Sequence, residues 1–259
     1  MSPLVKSWEH VRLRFAERNL VDFNFPSDYQ KVNNTHLKIL QESEKILGKQ
    51  GVAGLELKNI AKVLEISPGN IHHYYKTGEE LIFDTVIYSY KKHVINIQES
   101  NASEINPEKV VRSWIDKTLK WTTELPGIGV ILEFPYQVTR SGSKYSEEVN
   151  PIIRHFLKYV GEIGISNVTY LASAIRSLQK KQNLKLYNTI QIATFNKTDP
   201  KFTTYLTVIG FATLGGGLWM AGRQPENQKL PFWISLGFNP KQQMQTTIDE
   251  LIKMIRAEV

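Results

Sequence analysis

The chain has 259 residues, 41% of them hydrophobic, which is enough to bury a substantial core and excludes disorder as the main state. A formal charge of +7 and a pI near 9.3 favour an acidic partner, such as nucleic acid or an anionic membrane surface. The absence of cysteine excludes disulfides, thiolate metal sites and cysteine nucleophiles, and it fits a reducing cytoplasm.

Residues 1–33 read as an N-terminal extension containing one helix. Leu4, Trp8, Val11 and Phe15 fall on a common face, and Phe25-Pro26 breaks the pattern. Lys6, Glu9, Arg12, Arg14 and Glu17 interrupt any apolar core, so no signal peptide is expected there. Arg12, Arg14 and Arg18 either approach nucleic-acid phosphates or face solvent. Next, Leu37, Leu40, Ile46 and Leu47 mark a helix ending near Gly51, a plausible C′ glycine. Two short helical signals follow, Leu57 to Leu64 and Ser67 to Tyr74, separated by the tight turn Glu65-Ile66. Thr77 and Glu80 have the spacing of a capping box ahead of Leu81, Val86 and Tyr88.

Short polar residues directly before proline punctuate the chain at Ser67-Pro68, Asn106-Pro107, Asn150-Pro151, Asp199-Pro200 and Asn239-Pro240. Each pair can open a helix. The polar side chain accepts from an orphan N–H, and proline at N1 gives up a donor with no intrahelical partner. Val110, Val111, Trp114, Ile115 and Leu119 form an apolar stripe after the second pair, and Met244, Ile248, Leu251, Ile252 and Ile255 form one after the last. Leu184 to Phe195 is the main strand-like stretch, and with no partner strand evident it reads as an irregular insertion. Tyr205 to Met220 is apolar almost all round, but it is broken by glycines and falls short of the roughly 18 residues that span a bilayer. The expected fold is therefore all-α, with about nine or ten helices.

The segment from Leu37 to Tyr75 has the form of a helix-turn-helix. A short second helix capped at Ser67 presents its N-terminal residues to a major groove. Ile60, Ala61, Leu64, Ile66 and Ile71 supply the small core that sets the angle between the two helices, and alanine permits the close contact. Tyr74 and Tyr75, at the end of a short helix, read as core.

Here the sequence resembles the TetR (tetracycline-repressor-like) family of transcriptional regulators. The matching run is Ile39-Leu40 to Gly51, Ile60-Ala61, Ile66-Ser67-Pro68-Gly69-Asn70-Ile71, His72-His73-Tyr74-Tyr75 and Glu79-Glu80-Leu81, spaced without a gap. The resemblance covers residues 36 to about 94 at motif level. Three positions depart from the family pattern: Glu65 stands at the turn glycine, His72 at the recognition-helix tyrosine, and Gly78 at a lysine. Lys76 lies two residues before the missing lysine.

The resemblance implies a homeodomain-like, three-helix DNA-binding domain over 34–95. It also implies an effector-binding and dimerisation domain over 96–259, with a homodimer formed through the last two helices. It assigns DNA contact to Ser67, Pro68, Gly69, Asn70, His72, His73 and Lys76, with Asn70 as the best base reader because asparagine can bond bidentately to adenine. It puts Trp114, Trp121, Phe134, Tyr136, Phe156, Tyr159 and Tyr170 on the helices that enclose the effector, although such an aromatic set also reads as ordinary core, and Glu133 and Arg154 are either polar anchors or plain surface charges. Gly215-Gly216-Gly217 would let a partner helix approach closely, the alternative being that this segment is only the central helix of a monomeric bundle. The partners implied are a palindromic duplex operator, a small apolar or aromatic effector and a second copy of the chain, with no membrane, metal or cofactor. The function implied is a cytoplasmic repressor, not an enzyme.

Two alternatives stand beside this reading. One is a helical enzyme using His72 or His73 with a carboxylate, although no Gly-x-Ser-x-Gly, phosphate loop or metal-ligand spacing accompanies them. The other is a constitutive DNA-binding or protein-interaction protein that senses nothing.

Overall fold

The computed structural model describes residues 34–135, 151–221 and 240–257. These residues hold ten helices and no strand: α1 (Asn34–Gly54), α2 (Leu57–Val63), α3 (Pro68–Tyr74), α4 (Gly78–Ser100), α5 (Pro107–Glu124), α6 (Pro126–Glu133), α7 (Pro151–Gln179), α8 (Thr189–Thr198), α9 (Pro200–Ala221) and α10 (Pro240–Ala257). The helix expected before residue 34 lies outside the described residues. So does Tyr136. No helix of the described residues is long and apolar enough to cross a membrane.

All five polar-proline pairs coincide with helix starts, at Pro68, Pro107, Pro151, Pro200 and Pro240. Three of the caps are described. Ser67 Oγ accepts from the Asn70 amide at 3.3 Å, Asn106 Oδ1 from Glu108 at 3.0 Å and Asp199 Oδ1 from Phe202 at 3.1 Å. The capping box also forms ahead of α4. Glu80 N donates to Thr77 Oγ1 at 3.2 Å, while Glu80 Oε2 accepts from the amides of Thr77 and Lys76 at 3.3 and 2.7 Å. Gly51, at φ 65°, breaks α1 before its last turn.

The stretch 184–195 is a correction. It contains the start of α8, opened by a second capping box in which Asn188 Oδ1 accepts from Gln191 N at 2.9 Å and Gln191 Oε1 accepts from Asn188 N at 3.0 Å. The strand-like spacing misleads because Ile190 points outward and Ile192 into the core.

The described residues fall into two compact units. One holds residues 34–92, 124–135 and 151–163. In it, Ile39, Leu40, Ile60, Ala61, Ile71, Tyr75, Leu81 and Tyr88 form a buried cluster joining α1 to α4. Helix α6 packs on α1, and a Cβ added at Gly127 would overlap the Leu47 carbonyl oxygen.

The other unit holds residues 93–123, 164–221 and 240–257. Its core joins Val110, Val111, Trp114 and Ile115 of α5 with Leu171, Ile175 and Leu178 of α7, Phe202, Tyr205 and Ile209 of α9, and Ile248, Ile252 and Ile255 of α10. Ion pairs fasten α10 to α5. Arg112 donates to Asp249 at 2.5 Å and to Glu108 at 2.9 Å, and Arg256 also pairs with Glu108.

The glycine triplet needs a second correction. A Cβ at Gly216 would overlap Met244 of α10, and one at Gly217 would overlap Thr122 of α5. Those two glycines serve packing within the chain. Gly210 and Gly215 have open space where a Cβ would go.

Candidate nucleic-acid interface

The turn between α2 and α3 is built from α2's own carbonyls. Ile66 N donates to Ala61 O at 3.0 Å and Glu65 N to Lys62 O at 3.3 Å, the paired bonds of a Schellman motif. That geometry requires a left-handed residue at its centre, and Glu65 takes it with φ 54°. A glutamate there bears a cost that glycine does not, of about 1–2 kcal/mol. Ile66 then packs back onto the cluster of Ile60 and Ala61.

Helix α3 is anchored on one side by fully buried Ile71, and its C-terminal end by Tyr75. Tyr75 is also fully buried, and its hydroxyl shares a 2.6 Å hydrogen bond with His36 Nε2 of α1. The His36 ring stacks on Tyr74, with centroids 5.0 Å apart. Burial lowers the His36 pKa to about 4, so the ring is neutral at neutral pH and serves as a fixed strut between α1 and the end of α3. This role was not visible in the sequence, where His36 is isolated from other histidines.

With Ile71 inward, Ser67, Pro68, Gly69, Asn70, His72, His73 and Lys76 are all exposed, so every residue assigned to DNA contact lies on accessible surface. Lys62, in the last turn of α2, is exposed as well. Ser67 acts as the cap, and Asn70 offers its side chain while its amide serves that cap.

The described residues assigned to an effector are divided between the two units. Trp114 is buried, donating from Nε1 to Asn167 Oδ1 at 2.8 Å. Trp121 stacks on His93 with centroids 4.6 Å apart, and His93 Nε2 lies 3.1 Å from Thr118 Oγ1. Burial first, and the Lys117 charge second, lower His93 to about 3. Tyr170 is half-buried against the same core; burial and then Glu104 push its hydroxyl up to about 12. These three belong to the unit containing α5 and α9. Phe156 belongs to the other unit and is fully buried, 4.6 Å from Phe83. Tyr159 is half-buried in that same unit with Lys158 over its ring. Phe134 is exposed at the end of α6, and Glu133 and Arg154 are exposed too. Among the described residues, no group of three or more histidines and carboxylates could hold a metal ion.

Comparison with solved structures finds a similar all-helical fold. The chain is similar to the transcriptional regulator FadR from Bacillus subtilis, solved in complex with stearoyl-CoA, with a TM-score of 0.51 and 9% identity over 86% of this chain and 99% of that one. It is also similar to BioQ of Mycobacterium smegmatis, with a TM-score of 0.43 and 15% identity over 86% of this chain and 98% of that one. No family model matches the sequence. No curated protein matches it either.

Proposed function

We propose that the chain is a TetR-like DNA-binding regulator, a cytoplasmic repressor released from a palindromic operator by a small apolar or aromatic effector. One observation carries the reading. The short helix α3 is fastened from within by Ile71 and Tyr75, while Asn70, His72 and His73 remain exposed. A rod held rigidly on one side and polar on the other is what major-groove reading requires.

In this reading residues 34–95 bind DNA, and residues 96–259 bind the effector and dimerise through α9 and α10. Asn70 reads a base, while Ser67, Pro68, Gly69, His72, His73 and Lys76 contact or closely approach the backbone. The open space at Gly210 and Gly215 supports a second copy approaching α9. The likeness of fold to a regulator solved with stearoyl-CoA adds long-chain acyl thioesters to the apolar and aromatic effectors worth testing. Trp114, Trp121, Tyr170, Phe156, Tyr159, Phe134 and Tyr136 remain the proposed effector-facing set.

Selection of bound genomic fragments at fixed salt tests this directly. The expected product is a palindrome whose half-sites lie about one helical turn apart. Recovery of fragments with no common sequence would overturn the proposal.

A further inference from the structure

One surface of the unit containing α5 and α9 is left unused by this function. It is made by the α4–α5 connection, the segment 180–188 and α8. From beneath, these pieces are held firmly. Leu184 N donates to the Ile105 carbonyl at 2.7 Å, while Lys185 N and Tyr187 N donate to Ser177 Oγ and Ser173 Oγ at 2.9 and 3.0 Å. Ile192 is buried, Tyr187 meets Phe195 edge-on, and Arg176 lies over Phe195 while pairing with Asp199 at 2.7 Å.

On the outer side the chemistry is different. Ile105, Leu186 and Ile190 are 62%, 65% and 56% exposed. The hydrogen bond at Ile105 brings two distant segments together, and Leu186 is no more than about 7 Å of extended chain beyond Leu184. Residues 177–201 carry Lys180, Lys181, Lys185, Lys197 and Lys201, all exposed, against the single acid Asp199, which Arg176 neutralises. Glu104 beside Ile105 pairs with Lys109 at 3.6 Å.

Scattered aliphatics on a surface need no explanation, but aliphatic tips beside a run of lysines, with Asp199 and Glu104 both ion-paired, form a pattern. Protein interfaces are depleted in lysine and centre on aromatic or arginine anchors, which this face lacks on its exposed side. Nucleic acid would use the lysines but not the protruding Leu186 and Ile190. An anionic bilayer uses both: ammonium groups sit over headgroup phosphates while aliphatic tips enter below them.

We propose that the face formed by Ile105, Leu186 and Ile190, with Lys180, Lys181 and Lys185 around them, docks reversibly on an anionic phospholipid surface. The family resemblance implied no membrane partner, although the net charge of +7 suits an anionic surface, and the proposal does not depend on DNA binding.

The test is co-sedimentation of the full-length chain with vesicles of phosphatidylcholine alone, or with about a third phosphatidylglycerol, at low and high salt. Binding is expected to the anionic vesicles and to weaken with salt. The triple variant Lys180→Gln, Lys181→Gln, Lys185→Gln is expected to lose about a hundredfold in vesicle affinity, at about 1 kcal/mol per lysine. Leu186→Ser with Ile190→Ser is expected to lose about tenfold or more while keeping the salt dependence. Both sets change exposed positions, so unchanged thermal unfolding is expected and is measured alongside. Equal binding to both vesicle types, or wild-type binding by either variant, would overturn the proposal. So would loss of duplex DNA binding, and not vesicle binding, in the lysine variant. A change of oligomeric state in the Leu186 variant would assign the face to a second copy and equally defeat it.

Discussion

Replacing Asp84 by asparagine measures what a buried carboxyl costs this fold. Asp84 is 3% exposed, and its Oδ2 has no hydrogen-bond partner. Burial, with the charge of Glu80 one turn earlier as the second cause, pushes its pKa from 3.8 up to about 7. Three pH units correspond to about 4 kcal/mol. Between about pH 4 and 7 the folded chain keeps a proton that the unfolded chain has released, so stability falls as pH rises through that window. Asparagine matches the shape and has no proton to lose. Its amide introduces an orphan donor, a pH-independent cost of about 1–3 kcal/mol. The stability of the variant relative to wild type should therefore climb by about 2 kcal/mol from about pH 5.5 to about pH 7. The comparison must be relative because two histidines act in the opposite sense. His36 and His93, held near 4 and 3, contribute stability that is complete above the unfolded value of 6.5 and lost as pH falls. That contribution is common to both proteins and cancels. Urea titrations at stepped pH give the two curves. Parallel curves would refute a buried, strongly raised carboxyl at this position.

Relieving the left-handed backbone by Glu65→Gly should raise stability by about 1 kcal/mol in the same titrations, since φ is 54° there. Gly217→Ala should lower it by about 1–3 kcal/mol because the added Cβ meets Thr122, whereas Gly215→Ala, with open space, should not. Equal losses would refute the close packing of α9 on α5. In DNA binding, Lys76→Ala should reduce the salt slope by about 0.9 without changing sequence preference. Asn70→Ala should do the reverse, costing about 1–3 kcal/mol of discrimination at one base pair.

What was legible in the sequence is what local chemistry decides. A short polar residue before proline fixes a helix start because both effects act within one turn, and α3, α5, α7, α9 and α10 begin at those prolines. The turn before α3 was legible for the same reason, down to the misfit of Glu65. Helix α6 was missed because Leu125 offers no side-chain cap, and α8 because its box uses Asn188 and Gln191 inside an alternating apolar run. The strut between His36 and Tyr75 and the bond from Trp114 to Asn167 join residues 39 and 53 positions apart. Spacing along a chain carries no trace of such pairs, so an aromatic set chosen by helix membership mixes core residues such as Phe156 with exposed ones such as Phe134.

The glycines of α9 show where the boundary of legibility lies. Small residues in an apolar helix announce that something comes close, because only a missing side chain leaves room for a neighbour's backbone or methyl groups. Which neighbour comes close is decided by tertiary position. Gly216 and Gly217 are filled from within the chain, by Met244 and Thr122. Gly210 and Gly215, on the same helix, are not. A second chain meeting α9 therefore has room at Gly210 and Gly215 and none at Gly217. In a dimer built on this helix, a larger residue at Gly215 should weaken association while leaving the fold intact, and one at Gly217 should disturb the fold itself.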